Sequence, residues 1–555
     1  MSALSWCLPL CISLLSIWII STVSRQNGNA HSLWNIPGPR SDSFWLGNIS
    51  QFLSKDGGSF HSKLLQRYGL VVRLHSLFSR PMLYISDPKA LHSILMKEVE
   101  AYKEPDGFMA INMLVFGPGL VSTTGMQHRR QRKMLNPVFS VNHMRYLLPT
   151  FYSVAHKLRG AISQRVRDGP QDFDILHWMS RSALEVVGQG GLGHSFDSFE
   201  SDEQDPYGEA MKALTPALRG LIMISPILPF LSRIGPAWLQ RRILDAIPHH
   251  DIRTVKHSVG VMFDKANEVY SARVAALNAG DETVMHQVGE GKDIMSTLIR
   301  TNQNASGQEK LPEDEVISQI STLVFGATDT SSNTLSHILE LLAIHPDIQS
   351  KLRDELLTAR AAEGIPYDQL NQLPYLDAVV RETLRRQVID YDCWYPPITL
   401  LYRVPERDVI LPLYKPAHGV DGTMITELHL NKGTEIALGI GSINTSEELW
   451  GEDALVWDPQ RWLSPLPKAI SEARIPGVYA NMLTFLEGPK ACIGYKFAEV
   501  GIKVTLAVLL SHFTFALTEE KIVWNLAVIS YPTVEPDRVN PRLPLRVGEL
   551  TEGTA

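Results

Sequence analysis

Cysteine is scarce in this sequence. Four occur in 555 residues, and Cys7 and Cys11 fall in an apolar leader, leaving only Cys393 and Cys492 beyond it. Four are too few for a disulfide scaffold, and the usage suits a reducing compartment. No partner cysteine or histidine lies near Cys492 in the sequence, which argues against a four-ligand zinc site. Positive charge is in deficit as well: 52 Lys and Arg stand against 59 Asp and Glu, for a net charge of −7. That balance offers no global argument for nucleic-acid binding. Internal repeats and low-complexity tracts are absent, and no flavin or dinucleotide loop is expected. Apolar residues are plentiful at 44%, with 20% charged, enough for a large globular core.

The first apolar run is N-terminal. Residues 4–23 carry no charge, close to the ~20 residues that cross a bilayer. Trp6 and Trp18 suit the two interfaces, and Arg25 is the first charge. A cleavable secretory signal is the competing reading, but no basic segment precedes the run. Positive charge on its carboxyl side favours an uncleaved anchor with the rest of the chain in the cytosol. Residues 24–40 read as a linker ending in the stiff Pro37-Gly38-Pro39 turn. Residues 41–550 form the remaining domain.

Within that domain a helix is expected near Phe60–Tyr68, strands at 71–75 and 81–86, and a loop over a pocket at 103–124. A basic helix follows at 125–139, with His128 and Arg132 four apart on one face. From 141 to 320 the pattern is mostly helical. Residues 221–231 are strongly apolar, fitting either a pocket roof or core. Residues 313–345 read as one long helix with small and polar residues at Gly326-Ala327-Thr328-Asp329-Thr330. Such a cluster weakens a helix, so it marks close packing or a flat ligand. Thr330 either bonds back to a carbonyl or relays protons beside Asp329. Glu382 and Arg385, three apart on a helix, can pair.

The most informative stretch is Phe485-Leu-Glu-Gly488-Pro-Lys490-Ala-Cys492-Ile-Gly494. It precedes an apolar run, 495–515, read as a helix. A thiol at a helix N-terminus is expected to have a lowered pKa and to be largely thiolate. A lone thiolate suits one axial bond to haem iron better than a zinc cage. Glycines at 488 and 494 would let the backbone pass close to a flat macrocycle. The bland alternative is a structural cysteine at the start of a core helix.

This stretch resembles the haem-binding loop of the cytochromes P450, Phe-x-x-Gly-x-Arg-x-Cys-x-Gly, with Lys490 where arginine is usual. The family's other motifs follow in order. His128 and Arg132 match its propionate-binding helix, with His in the tryptophan slot. Ala327, Asp329 and Thr330 match its oxygen-activation helix, Ala327 replacing a glycine. Glu382, Arg385 and Arg461 match its buried triad, and Arg403 falls at a further propionate-binding position.

The resemblance implies a mainly α fold with a smaller β-rich part, the haem lying between the long central helix and the helix after the cysteine. It implies haem b held axially by Cys492, with Phe485 shielding the sulfur and Lys490 facing a propionate. Asp329 and Thr330 would deliver protons. The implied activity inserts one oxygen atom from O2 into a lipophilic small molecule, in the style of filamentous-fungal specialised metabolism such as terpenoid biosynthesis. Electrons would come from NADPH through a separate reductase, with cytochrome b5 a further candidate donor, at the endoplasmic reticulum membrane. Two alternatives stay open: a reductase-independent isomerase or dehydratase, and a haem- or lipid-binding membrane protein without turnover.

Two further features are expectations. Between Arg385 and Pro396 stand ten residues where the family has about two, so 387–394 is either a surface loop or a mis-assigned coding boundary. Acceptor sequons lie at Asn48, Asn304 and Asn444, and a cytosolic domain leaves all three unmodified.

Overall fold

A computed structural model describes residues 31–201, 205–225, 228–231, 249–280, 291–386, 400–527 and 529–550. The leader 4–23, the segment 387–394 and Cys393 lie outside the described residues. Among those described, no helix is long and apolar enough to cross a membrane.

The architecture is built around one helix, Glu313–Ile344. It starts after Pro312, where Glu313, Asp314 and Glu315 complement the positive end of the dipole. It ends where Pro346 starts the next helix. Most of its side chains are buried on all sides, as befits a helix inside a large core. It packs against helices Ile175–Val186, His250–Ala279 and Tyr495–Leu510. Helix Val141–Val166 in turn packs along Tyr495–Leu510. These helices share the larger of the two main apolar cores.

The β-rich part gathers strands from both ends of the chain. Its sheet runs in the order Val71–His75, Pro81–Ile85, Ile436–Gly439, Leu400–Pro405, Tyr102–Lys103. The first pair is an antiparallel hairpin, Val71 opposite Ile85, as the two short apolar runs predict. Beside it lies the hairpin Val409–His418 and Met424–Leu430, which turns at Gly422 with φ of +84°. This part has its own core around Leu83, Ile436, Leu438 and the fully buried Trp450.

Two expectations need correction, and one glycine motif needs its place in the fold. Residues 103–124 are not one loop: a helix spans Asp106–Phe116. Pro105 precedes it, Asp106 sits in its first turn, and Gly117 at φ of +68° stops it. Its side chains are apolar nearly all round, which hides the helical period. The run 495–515 is not one helix either. The helix ends at Leu510, and Phe513–Leu517 forms a strand against Pro544–Glu549. The inward Phe513 and Phe515 follow a period of two there. Finally, Gly188, Gly190 and Gly193 do spell Gly-x-Gly-x-x-Gly. They close the turn that ends helix Ile175–Val186 instead of joining a strand to a helix. A side chain at Gly193 would strike the Arg273 guanidinium, so these glycines serve packing and form no phosphate loop.

Two of the three sequon asparagines are buried. Asn48 donates to the Arg40 carbonyl, and its Oδ1 accepts from the backbone of His75. Asn444 donates to Thr484 and accepts from the Leu483 amide. Asn304 is exposed at a helix end.

Candidate active site

Cys492 lies on the loop that leads into helix Tyr495–Leu510, two residues before Gly494 at its N-cap. Its amide donates to the Phe485 carbonyl at 2.9 Å, which folds the loop back on itself. Phe485 packs edge-on to Tyr479 and tilted to Tyr495. Cys492 keeps exposed surface although protein surrounds its thiol. Burial pushes the thiol pKa up, and the Gly494 amide and Arg132 only partly offset this. The expected lowering is therefore overturned: desolvation wins over the helix terminus. A metal would have to take the proton's place on sulfur.

Gly488 has φ of +82°, and a Cβ there would lie 2.2 Å from the Leu95 carbonyl oxygen. Its glycine answers to a backbone crossing and not to a macrocycle, which corrects the expectation for that position. Gly494 and Gly326 behave differently. A Cβ at Gly494 meets only a Phe139 ring carbon at 3.8 Å, and one at Gly326 meets nothing within 4 Å. The cysteine helix and the central helix pack together. Ala327 and Ser331 of the central helix line one small cavity with Ala498 and Gly501 of the cysteine helix.

Three cations converge on the cysteine loop. Arg132 donates to the Ala491 carbonyl at 2.6 Å. Lys490 donates to the Thr123 carbonyl at 2.8 Å, and Arg403 to the Tyr402 carbonyl at 2.8 Å. His128 is buried one turn before Arg132. Burial first, then Lys490 and Arg132, push its pKa down to about 4, so it is a neutral imidazole. Glu104 lies 3.6 Å from both Arg403 and Lys490.

On the central helix, Asp329 and Thr330 are not bonded to each other. Thr330 donates its hydroxyl to the Gly326 carbonyl at 2.6 Å. Asp329 accepts from the Thr215 hydroxyl, on helix Pro206–Ile224. Burial raises the Asp329 pKa to about 6, against the lowering effect of the Thr215 hydrogen bond and Lys212.

Glu382, Arg385 and Arg461 do come together. Arg385 holds Glu382 with two bonds, of 2.9 and 2.7 Å, and Arg461 stands 3.5 Å away. Glu382 and Arg385 are fully buried, unlike a common surface pair. Arg385 also donates to the carbonyls of Asn444 and Ala454, at 2.9 and 2.7 Å. Burial alone would raise the Glu382 pKa, but the cations outweigh it and hold it low.

Sequence reasoning missed Glu104, Thr215, Trp462 and Asp453. Trp462 donates to Glu382 at 2.9 Å, and Asp453 takes two bonds from Arg461. Both lie close to Arg461 in the sequence, Trp462 directly after it and Asp453 eight residues before it. Glu104 and Thr215 carry no local signal.

The cytochrome P450 family model matches residues 37–527. A protein named cytochrome P450 monooxygenase 212, from Postia placenta, is 49% identical over 551 residues, 99% of each chain. Cytochrome P450 monooxygenase 81 of the same fungus is 48% identical over 96% of each chain. A ganoderic acid synthetase of Ganoderma lucidum is 44% identical over 93% of this chain and 94% of its own.

Proposed function

From the premise that the chain belongs to the cytochrome P450 family and is a monooxygenase of it, we propose that it oxygenates a lipophilic terpenoid. The observation that carries this reading is the Cys492 loop with Arg132, Arg403 and Lys490 converging on it. Those residues fit haem: one thiol, open space at Gly494 and Gly326, and cations for two carboxylates. When bound through the Cys492 sulfur, haem would supply an iron able to activate dioxygen.

The chain's own part is positioning and proton handling. Arg132, Arg403 and Lys490 bind carboxylates, and neutral His128 adds no charge. Asp329, with its pKa near 6, takes up and releases a proton at Oδ near neutral pH. Thr215 fixes the carboxyl group's direction. Thr330 must let go of the Gly326 carbonyl before its hydroxyl proton serves as a donor. Phe116 packs on Phe325, ring centroids 4.8 Å apart, one turn before Asp329.

Leu221, Leu228 and Phe116 are buried in the larger apolar core; the lipophilic character of the substrate is what membership of the family suggests. The terpenoid class comes from the name of the Ganoderma relative. The test is co-expression with an NADPH-dependent reductase in a host rich in terpenoids, under isotopically labelled dioxygen. A labelled terpenoid product that depends on NADPH is expected. Turnover without the reductase would make the chain an isomerase or dehydratase, and no product from any terpenoid would overturn the substrate class.

Electron supply through a separate reductase and residence at the endoplasmic reticulum, anchored by residues 4–23, are part of the same reading. Asn304 is the only informative sequon for it, because Asn48 and Asn444 are buried. A glycosidase-sensitive mass shift abolished by Asn304→Gln would overturn the cytosolic orientation.

A further inference from the structure

Glu104 sits where two elements fix it. Strand Tyr102–Lys103 pairs antiparallel with Leu400–Pro405, Tyr102 opposite Pro405 and Lys103 opposite Val404. The next step of that register brings Glu104 across from Arg403. Pro105 follows immediately and leads into helix Asp106–Phe116, so the backbone cannot slide. One oxygen, Oε1, is 3.6 Å from Arg403 Nη2 and 3.6 Å from Lys490 Nζ. All three side chains are largely buried, so water screens these charges little.

We propose that Glu104 is a positioning residue of the cofactor-carboxylate cradle, tethering Arg403 to Lys490 and setting the cradle's fixed charge. The inference rests on the haem-thiolate reading above. Arg132, Arg403 and Lys490 bring three positive charges, and neutral His128 brings none. Glu104 removes one, leaving two, which matches the two carboxylates of haem. Burial alone would push the Glu104 pKa up, yet Arg403 and Lys490 outweigh it and hold it low, so the carboxylate stays ionised. At 3.6 Å the contacts are ion pairs without tight hydrogen bonds. Arg403 and Lys490 each spend one donor on a carbonyl and retain others, so the same cations serve Glu104 and a second carboxylate together.

Two consequences have definite signs. Removing one negative charge near the iron favours its less positive, reduced form, so Glu104→Gln shifts the midpoint potential upward. It also leaves Arg403 and Lys490 without their protein counter-ion whenever haem departs, so haem loss becomes slower. The experiment compares wild-type, Glu104→Gln and Glu104→Asp holoproteins by redox titration and by haem transfer to excess apomyoglobin. Expected are a positive shift and several-fold slower transfer for Glu104→Gln. Glu104→Asp should keep the wild-type potential, with an intermediate transfer rate.

An unchanged or lowered potential in Glu104→Gln overturns the proposal, as does a Glu104→Asp enzyme that behaves like Glu104→Gln. If Glu104→Gln does not load haem, Glu104→Asp decides. Loading with wild-type potential upholds the need for a carboxylate, and failure to load makes Glu104 a fold residue only. If the wild type itself lacks the red-shifted carbon monoxide spectrum of a thiolate haem, the underlying reading falls instead.

Discussion

Two buried clusters in this molecule each join one glutamate to two cations, and they are built to opposite ends. In the Glu382 cluster, Arg385 makes two bonds of 2.9 and 2.7 Å, Trp462 adds a third, and two carbonyls take up Arg385's other donors. The contacts of Glu382 and Arg385 are closed within the protein, and Arg461 adds a looser one through Nε at 3.5 Å. In the Glu104 cluster both pairs stand at 3.6 Å, and the cations keep donors in reserve. One carboxylate and two cations thus make a lock in one place and, on the reading proposed above, a receptor in the other. Hydrogen-bond saturation, and not charge count, separates the two roles.

The largest effect should come from breaking the lock. Glu382→Ala leaves Arg385 buried without its partner, at a cost of about 3–5 kcal/mol. Thermal unfolding and the yield of haem-loaded protein would show it; a variant as stable as wild type would erase the distinction between the clusters. Cys492→Ser should leave the cradle and the fold intact while abolishing the red-shifted carbon monoxide spectrum, because an alcohol does not replace thiolate donation. A surviving spectrum would move the axial ligand elsewhere.

Smaller effects lie on the central helix. Thr330→Ala should keep substrate binding but divert reducing equivalents to peroxide, read as product formed per NADPH consumed. Unchanged coupling would leave Thr330 as a helix residue bonded to Gly326. For Thr215→Val the sign follows from the hydrogen bond. Thr215 stabilises the ionised form of Asp329 and so lowers a pKa that burial has raised to about 6. Its removal should move the bend in the pH profile of coupling upward from pH 6, at a stability cost of about 1 kcal/mol. A bend that stays put would mean Asp329 does not set the profile. The smallest change belongs to the open cluster: Lys490→Arg restores a fork and should alter stability by less than about 1 kcal/mol. A larger loss would show that the cradle is as tightly fitted as the lock.

Much of the fold was legible because its signals are local. The 71–75 and 81–85 hairpin shows as two short apolar runs, and the central helix shows as a continuous helical pattern. The helix Asp106–Phe116 was not legible, since apolar residues all round it leave no period to read. In the site, Cys492, Arg132, Arg403 and the Glu382 cluster could be found because they sit in spaced motifs. The pKa of Cys492 could not, because burial depends on what the rest of the chain packs around it. Glu104 faces Arg403 only through a strand register spanning some three hundred residues, and Thr215 reaches Asp329 from another helix. Neither relation has a trace in sequence spacing.

The burial of Asn48 and Asn444 bears on the order of events during synthesis. Each uses its side-chain amide inside the folded protein, the one against Arg40 and His75, the other against Thr484 and Leu483. N-linked glycan is a bulky, solvated group attached to that same amide nitrogen. In a compartment that glycosylates emerging chains, these sequons would meet the transferase while still unfolded. A chain modified at either position has no room to close, so modification and folding exclude each other here. The packing seen at Asn48 and Asn444 is therefore that of unmodified asparagines.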